Sequence, residues 1–124
     1  LEFRRVLFRS DAQPNEWFEY RMNVEKAQLE APGQDLALSL NLSISDRGRS
    51  CSIWVDGKEL STYLVPTSNP DGGKEKFFEK VFTIPASLVA GKKALNVRIS
   101  SVNGSYAPRV YQIRIMKYDE RLMQ

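Results

Sequence analysis

Strict alternation of apolar and polar residues is the feature that most limits how this chain can fold. The clearest run is DLALSLNLSIS, residues 35–45, in which leucine or isoleucine occupies every second position from 36 to 44. A period of two places successive side chains on opposite faces of a β-strand, so that one apolar face needs a second layer to cover it. The run therefore predicts a half-buried strand rather than an α-helix.

Six further segments are short and apolar on one face, and residues typical of turns separate them. Asp56-Gly57 is a strong two-residue hairpin signal, and residues 85–91 predict a short helical turn at most. No amphipathic helix of useful length is predicted. The strands predicted besides residues 35–45 are 17–24, 51–55, 58–65, 77–84, 93–100 and 109–117. We therefore predict an all-β fold, an antiparallel, jelly-roll-like β-sandwich of about seven strands in a single domain.

The alternation also predicts which side chains fill the space between the two sheets. The predicted inter-sheet core is Leu38, Leu40, Leu42, Ile53, Val55, Phe82, Val97, Ile99, Ile113 and Ile115. Three more aromatic side chains, Phe77, Phe78 and Tyr111, are assigned to the core as well. Cys51 is the only cysteine, so it forms no internal disulfide, and we expect a small buried hydrophobe there.

Composition argues against catalysis by the usual routes. The chain contains no histidine, which removes the commonest general base and metal ligand and excludes a Ser-His-Asp triad. Zinc sites need more cysteine and histidine than this chain has. Glycosidases need only two carboxylates, but the carboxylates here lie mostly among lysines and arginines, as solvated ion pairs do. We predict no enzyme activity in this chain, no cofactor and no metal site.

The net charge of +3 gives little reason to expect nucleic acid as a partner. Of the 18 basic and 15 acidic residues, three arginines and one glutamate lie in the first ten positions, which leaves 15 basic and 14 acidic residues elsewhere. These charges are interspersed and form no basic stripe that would follow a phosphate backbone. No apolar run approaches the ~20 residues of a membrane-spanning helix. We therefore expect neither a nucleic acid nor a membrane as partner.

The first ten residues, LEFRRVLFRS, do not fit the rest of the pattern. Their apolar stretch is too short for a secretory signal, and arginines flank it on both sides. The decapeptide resembles the translation of a common sequencing-adapter oligonucleotide in all ten positions. We therefore expect residues 1–10 to be adapter-derived, the natural sequence to begin at Asp11 and the upstream chain to be missing. The alternative is an edge strand over FRRVLF. At the other end, residues 118–124 predict a polar tail after a domain of residues 11–117.

Aromatic side chains on polar strand faces are the best candidates for a binding site. If Ile53 and Val55 face the core, then Trp54 faces the opposite way, and Trp17 likewise lies opposite Phe18. Flat rings beside polar groups suit a sugar, whose C–H face stacks on the ring while its hydroxyl groups form hydrogen bonds. The candidate sugar contacts are Trp54, Trp17, Tyr106, Asp56, Asn103 and Arg109. The alternative is that these rings fill gaps under loops or against a neighbouring domain.

Four segments together give a family resemblance: DAQPNEWFEYRMNV, IWVDGKEL, FFEKVFTIPASLVAGKKALNVRIS and VYQIRIMK. In their order and spacing they resemble the C-terminal β-sandwich domain of bacterial β-L-arabinofuranosidase-type glycoside hydrolases, which are similar to glycoside hydrolase family 127. The sequence departs from that family in the NGSYAPRV loop, where the family tends to be rich in glycine, and at Lys80, where an apolar residue is usual.

The resemblance implies an accessory domain beside a catalytic barrel that is absent here, so no catalytic residue is carried over. It implies a periplasmic or extracellular protein and a plant-derived oligosaccharide or polysaccharide as partner, besides the upstream catalytic domain. We expect a non-catalytic accessory module of a bacterial glycan-degrading enzyme, with carbohydrate binding as its role. The alternative is a purely structural domain that packs against the catalytic domain or mediates dimerisation.

Overall fold

The structure of the chain, a computed structural model, describes residues 17–102 and 104–119. Within these ranges seven strands form two antiparallel sheets that face each other, which confirms the predicted β-sandwich. The strands are β1 (Trp17–Asn23), β2 (Leu36–Ser43), β3 (Ser50–Val55), β4 (Lys58–Leu64), β5 (Phe77–Ile84), β6 (Ala94–Ser101) and β7 (Gln112–Lys117).

Strand order shows how the chain builds the two layers. One sheet has four strands in the order β1-β6-β3-β4, and the other has three in the order β5-β2-β7. Among the described strands, only β3 and β4 are joined by a hairpin within one sheet, and the other five connections cross between sheets. Such crossing connections agree with the jelly-roll-like expectation.

The core lies between the sheets and includes the residues that alternation assigns to it. All ten residues of the predicted inter-sheet core are buried. The inward face of β2, from Leu36 to Leu42, is fully buried against residues of β3 and β6. Cys51 is buried too, and burial raises the pKa of its thiol to about 12. The free thiol is therefore protonated and unreactive in the folded protein.

The outward face of β2 is more buried than its polar residues suggest. Ser39 is only 3% exposed because long side chains from both neighbouring strands cover it. Its hydroxyl is hydrogen-bonded to the carboxylate of Glu79, which in turn accepts a hydrogen bond from Arg114 at 3.0 Å. As the central strand of a three-stranded sheet, β2 is shielded on both faces.

The assignment of Phe77 and Tyr111 to the core is wrong. Phe77 is 45% and Tyr111 40% exposed, whereas Phe78 and Phe82 are buried as predicted. Phe77 pairs with Ser43 on the outward face of β2, because neighbouring residues of a strand point to opposite sides. Tyr111 precedes the first residue of β7 and forms an edge-to-face pair with Phe77, with ring centroids 5.0 Å apart.

Two local elements depart from the sequence prediction. A short helix, α1 (Glu25–Glu30), was not predicted, whereas the turn predicted at residues 85–91 contains α2 (Ala86–Val89). The strand predicted to reach residue 45 ends at Ser43, and a single 3-10 turn follows it over Ile44–Asp46. Within the described ranges, neither helix is long and apolar enough to cross a membrane.

Candidate functional site

Both tryptophans lie on the outer face of the four-stranded sheet, as strand alternation predicts. Trp17 on β1 pairs with Ser100 on β6, and Ser100 pairs with Ser52 on β3, so these three residues form one row across the strands. In the next row, Glu19 pairs with Arg98, and Arg98 pairs with Trp54. We call the outer side chains of these two rows the tryptophan face.

Arg98 lies between the two tryptophans and contacts one of them directly. Its guanidinium carbon is 4.5 Å from the ring centroid of Trp17, within the range of a cation–π contact. Arg98 Nε is also 3.5 Å from Glu19 Oε1, and both charged side chains are more than one-third exposed. Trp17 itself is 55% exposed. The face therefore combines a solvent-accessible ring with a cation held beside it.

The ring of Trp54 is fixed by its own strand. Its Nε1 donates a hydrogen bond to Ser52 Oγ at 2.9 Å, which draws the indole back along β3 toward the row of Trp17. Ser52 is only 7% exposed, whereas Trp54 is half-buried. The indole therefore lies over Ser52, with its N–H group already satisfied inside the protein.

A second cluster lies at the end of the sandwich formed by residues 44–49 and by the β6–β7 loop, and we call it the loop end. At its centre is Asp46, a carboxylate whose side chain is fully buried. Arg109 binds it through backbone N–H at 2.8 Å, Nε at 3.2 Å and Nη2 at 2.9 Å. Arg49 approaches the same carboxylate at 3.5 Å. One buried anion thus orients two arginines.

Burial alone raises the pKa of Asp46, because it disfavours the charged form. The hydrogen bonds and positive charge of Arg109, with a smaller contribution from Arg49, outweigh this effect and hold the pKa below its ordinary value. Asp46 is therefore ionised at neutral pH, and it balances one of the two guanidinium charges.

Exposed rings surround this ion cluster. The guanidinium of Arg49 is 5.4 Å from the ring centroid of Tyr106, and that of Arg109 is 5.8 Å from Tyr111. Tyr111 in turn contacts Phe77 edge to face. Tyr106 is 47% exposed. The loop end therefore presents aromatic rings and cations alternately around a buried carboxylate.

Asp56, another candidate sugar contact, lies at the opposite end of the sandwich in the β3–β4 hairpin. It has a φ of 49°, as the Asp-Gly turn requires. Its carboxylate accepts a hydrogen bond from the backbone N–H of Asn96 at 2.8 Å and pairs with Lys92. Burial raises the pKa of Asp56, but these two partners outweigh it and lower the pKa overall. Asp56 therefore joins the hairpin to β6.

The structure thus brings the predicted site residues together in pairs rather than in one place. Trp17 and Trp54 share the tryptophan face, whereas Tyr106 and Arg109 share the loop end. Asn103 lies outside the described residues. Two residues that organise these groups, Arg98 and Asp46, are not among the residues predicted from the sequence. Arg98 could have been found because it stands between Val97 and Ile99 on an alternating strand. For Asp46, the available signal was the Asp-Arg-Gly-Arg turn.

Other parts of the surface formed by the described residues contain clefts. One of about 460 Å³ lies between α1 and α2, and one of about 300 Å³ lies between β4 and β5. None of the predicted site residues within the described ranges lines either cleft. The part of the chain that the structure describes also contains no group of three or more acidic, cysteine or histidine residues that could hold a metal ion.

Comparison with solved structures identifies carbohydrate-binding modules of family 35 as structural neighbours. A module from an environmental isolate superposes with a TM-score of 0.60 at 10% identity, covering 84% of this chain and 67% of the module. For a module from Clostridium thermocellum the TM-score is 0.54 at 14% identity, and the match covers 86% of this chain and 73% of the module. For the module of Abf62 from Cellvibrio japonicus the TM-score is 0.59 at 11% identity, and the match covers 86% of this chain and 70% of the module. At such identities the likeness concerns the fold alone.

Sequence comparison places the chain in a family without assigning it an activity. No curated protein matches the sequence. The sequence profile of a family of unknown function, DUF6805, matches residues 3–116. That range covers every described strand except the last residue of β7, as well as most of the first ten residues, so it does not test the predicted boundary at residue 11. The chain therefore belongs to the DUF6805 family of unknown function.

Proposed function

We propose that this domain is a non-catalytic carbohydrate-binding module whose ligand stacks on the tryptophan face. One observation carries the proposal: Trp17 and Trp54 lie on the same outer sheet face, on either side of Arg98. Indole rings offer flat apolar surfaces to the C–H faces of sugars. Arg98 and Glu19 between and beside the rings supply a donor and an acceptor for sugar hydroxyl groups. The fold likeness to carbohydrate-binding modules supports the same function.

The state of the carboxylates supports a non-catalytic role. A general acid in a glycosidase needs a raised pKa so that it carries a proton near neutral pH. Asp46, Asp56 and Glu79 all have lowered pKa values, because hydrogen bonds and cations stabilise their charged forms against the cost of burial. These three residues would therefore be poor proton donors.

The biological setting follows from the family resemblance. We propose that the module accompanies a bacterial glycan-degrading enzyme of the β-L-arabinofuranosidase type and holds it on plant-derived polysaccharide in the periplasm or outside the cell. Sequencing the native locus upstream of the Asp11 codon tests this. A reading frame continuous with a glycoside hydrolase catalytic domain supports the proposal, and an unrelated upstream frame contradicts it.

A purely structural role is the second candidate, and a different observation favours it. Six large hydrophobic side chains are exposed among the described residues, and five of them lie at the end of the sandwich that carries the loop end. The five are Trp17, Leu64, Phe77, Tyr106 and Tyr111. An apolar surface of this kind is typical of contact with another protein domain or a second copy.

Binding measurements separate the two functions. Isothermal titration of the domain with xylan, arabinan and pectic oligosaccharides should show binding to at least one glycan. Trp54→Ala and Trp17→Ala should each weaken that binding about tenfold or more, which corresponds to about 1.4 kcal/mol. Tyr111→Ala is the matched control, because it removes an exposed ring at the loop end that is not among the candidate sugar contacts. Binding to no glycan by a folded protein contradicts the proposal and favours the structural role.

A further inference from the structure

Strand order sets the spacing of the two tryptophan positions across the sheet. Trp17 is on β1 and Trp54 is on β3, with β6 between them. The hydrogen bond to Ser52 draws the Trp54 ring toward the row that contains Trp17. The two positions are therefore two strand spacings apart, about 10 Å across the sheet.

The groups between the rings are polar, and their charges balance. Arg98 lies on the intervening strand beside Trp17, with Glu19 as its ionic partner. The neighbouring outward positions are Arg21 on β1 and Glu59, which pairs with Trp54 from β4. Two guanidinium groups and two carboxylates leave this face without net charge. It therefore suits a neutral ligand with many hydroxyl groups better than a polyanion or an acidic protein surface.

The spacing of the two tryptophan positions across the sheet matches the spacing of sugars in an extended glycan. In an extended β-1,4-linked chain, each sugar ring advances the chain by about one strand spacing, so the first and third of three consecutive sugars lie as far apart as the two tryptophans. The middle sugar would then lie above Arg98. Because the face is an open sheet surface, a chain can cross it without needing a free end.

We propose, on the basis of the proposed function, that the tryptophan face binds three consecutive sugars of a neutral, extended β-1,4-linked glycan that runs across the strands. The outer two sugars stack on Trp17 and Trp54. The middle sugar accepts hydrogen bonds from Arg98. A flexible α-1,5-linked arabinofuranose chain would not keep two rings at this separation.

The test is a chain-length series. Xylo-oligosaccharides and cello-oligosaccharides of one to five sugars are titrated into the domain, with α-1,5-arabino-oligosaccharides as the contrasting series. We expect affinity to rise at least tenfold between the disaccharide and the trisaccharide in a β-1,4-linked series, and to change little beyond it. The arabino series should show no such step.

Variants show whether both rings cause the step. Trp17→Ala and Trp54→Ala should each reduce trisaccharide affinity to about that of the disaccharide, whereas Tyr111→Ala should leave the whole series unchanged. Circular dichroism confirms that each variant is folded. Glycan binding without a step at the trisaccharide overturns this inference but keeps the proposed function. Absence of binding to every glycan overturns both.

Discussion

The tryptophan face and the loop end both combine aromatic rings with arginines, but they are built in opposite ways. On the tryptophan face, regular strand pairing positions the rings, and the charged groups Arg98 and Glu19 remain more than one-third exposed. At the loop end, no strand pairing fixes the arginines, and the fully buried carboxylate of Asp46 orients them instead. The first group can change without loss of the fold, whereas the second is part of what holds the fold together.

The largest expected effect comes from removing the main partner of the buried anion. Arg109→Met keeps much of the side-chain volume but leaves Asp46 buried without its bidentate partner. We expect the free energy of unfolding to fall by about 3–5 kcal/mol, as for other broken buried ion pairs. Urea unfolding at pH 7 measures this. Arg49→Met, which removes only the contact at 3.5 Å, should cost clearly less. Equal losses would show that Asp46 depends no more on Arg109 than on Arg49.

Lowering the pH should reduce the stabilisation that the loop end provides gradually rather than all at once. The pKa of Asp46 is lowered on folding from its ordinary 3.8, so its ionisation stabilises the folded state above about pH 4. This contribution is lost as the pH falls through the lowered folded pKa. In Asp46→Asn the stabilising contribution of the ionised carboxylate is already absent at pH 7. The difference in unfolding free energy between wild type and Asp46→Asn should therefore shrink from pH 7 to pH 3, and a constant difference would contradict this explanation.

A smaller effect is expected where one hydrogen bond fixes a ring on the tryptophan face. Ser52→Ala removes the acceptor of the Trp54 N–H group, and we expect a loss of about 1 kcal/mol in unfolding free energy. Ser100→Ala in the same row is the control and should change stability by less than about 0.5 kcal/mol. If both variants behave alike in urea unfolding, the indole is not held by Ser52.

The smallest effect should come from the surface ion pair. Glu19→Gln removes the partner of Arg98, and because both groups are exposed we expect about 0–1 kcal/mol. Any loss seen at low ionic strength should disappear in 1 M NaCl, where charges are screened beyond ~3 Å. A larger loss of unfolding free energy that persists in salt would mean that this ion pair supports the fold as the buried ions of the loop end do.

How much of the fold and of the candidate site could be predicted from the sequence depended on whether the interactions were local. Alternation predicted the sandwich and the buried sides of β2, β3, β6 and β7, and the same rule placed Trp17 and Trp54 on an outer face. Phe77 was misassigned because hydrophobicity was given more weight than its position next to Phe78. The rule that assigns Phe78 to the core places Phe77 outside.

The loop end could not be predicted in the same way. Asp46 and Arg109 are 63 residues apart, and nothing in either local sequence indicates that they meet. The predicted strand reached residue 45 because Ile44 continues the period of two. The period does not indicate that Ser43 accepts a hydrogen bond from the backbone N–H of Ser45 and starts a 3-10 turn. Contacts between residues far apart in the sequence, together with one short-range hydrogen bond, determine this region.

The five connections that cross between sheets have a consequence for how the protein is made. The most completely buried strand, β2, pairs only with β5 and β7. During synthesis its partner strands emerge from the ribosome much later than β2 itself. Folds dominated by such distant pairings typically reach the native state in milliseconds to seconds. Both edges of β2 are unpaired until β5 has emerged, and one edge remains unpaired until β7 has emerged. Exposed strand edges of this kind are sites of aggregation. The nascent chain therefore depends on the last strand of the domain for protection of its first buried one.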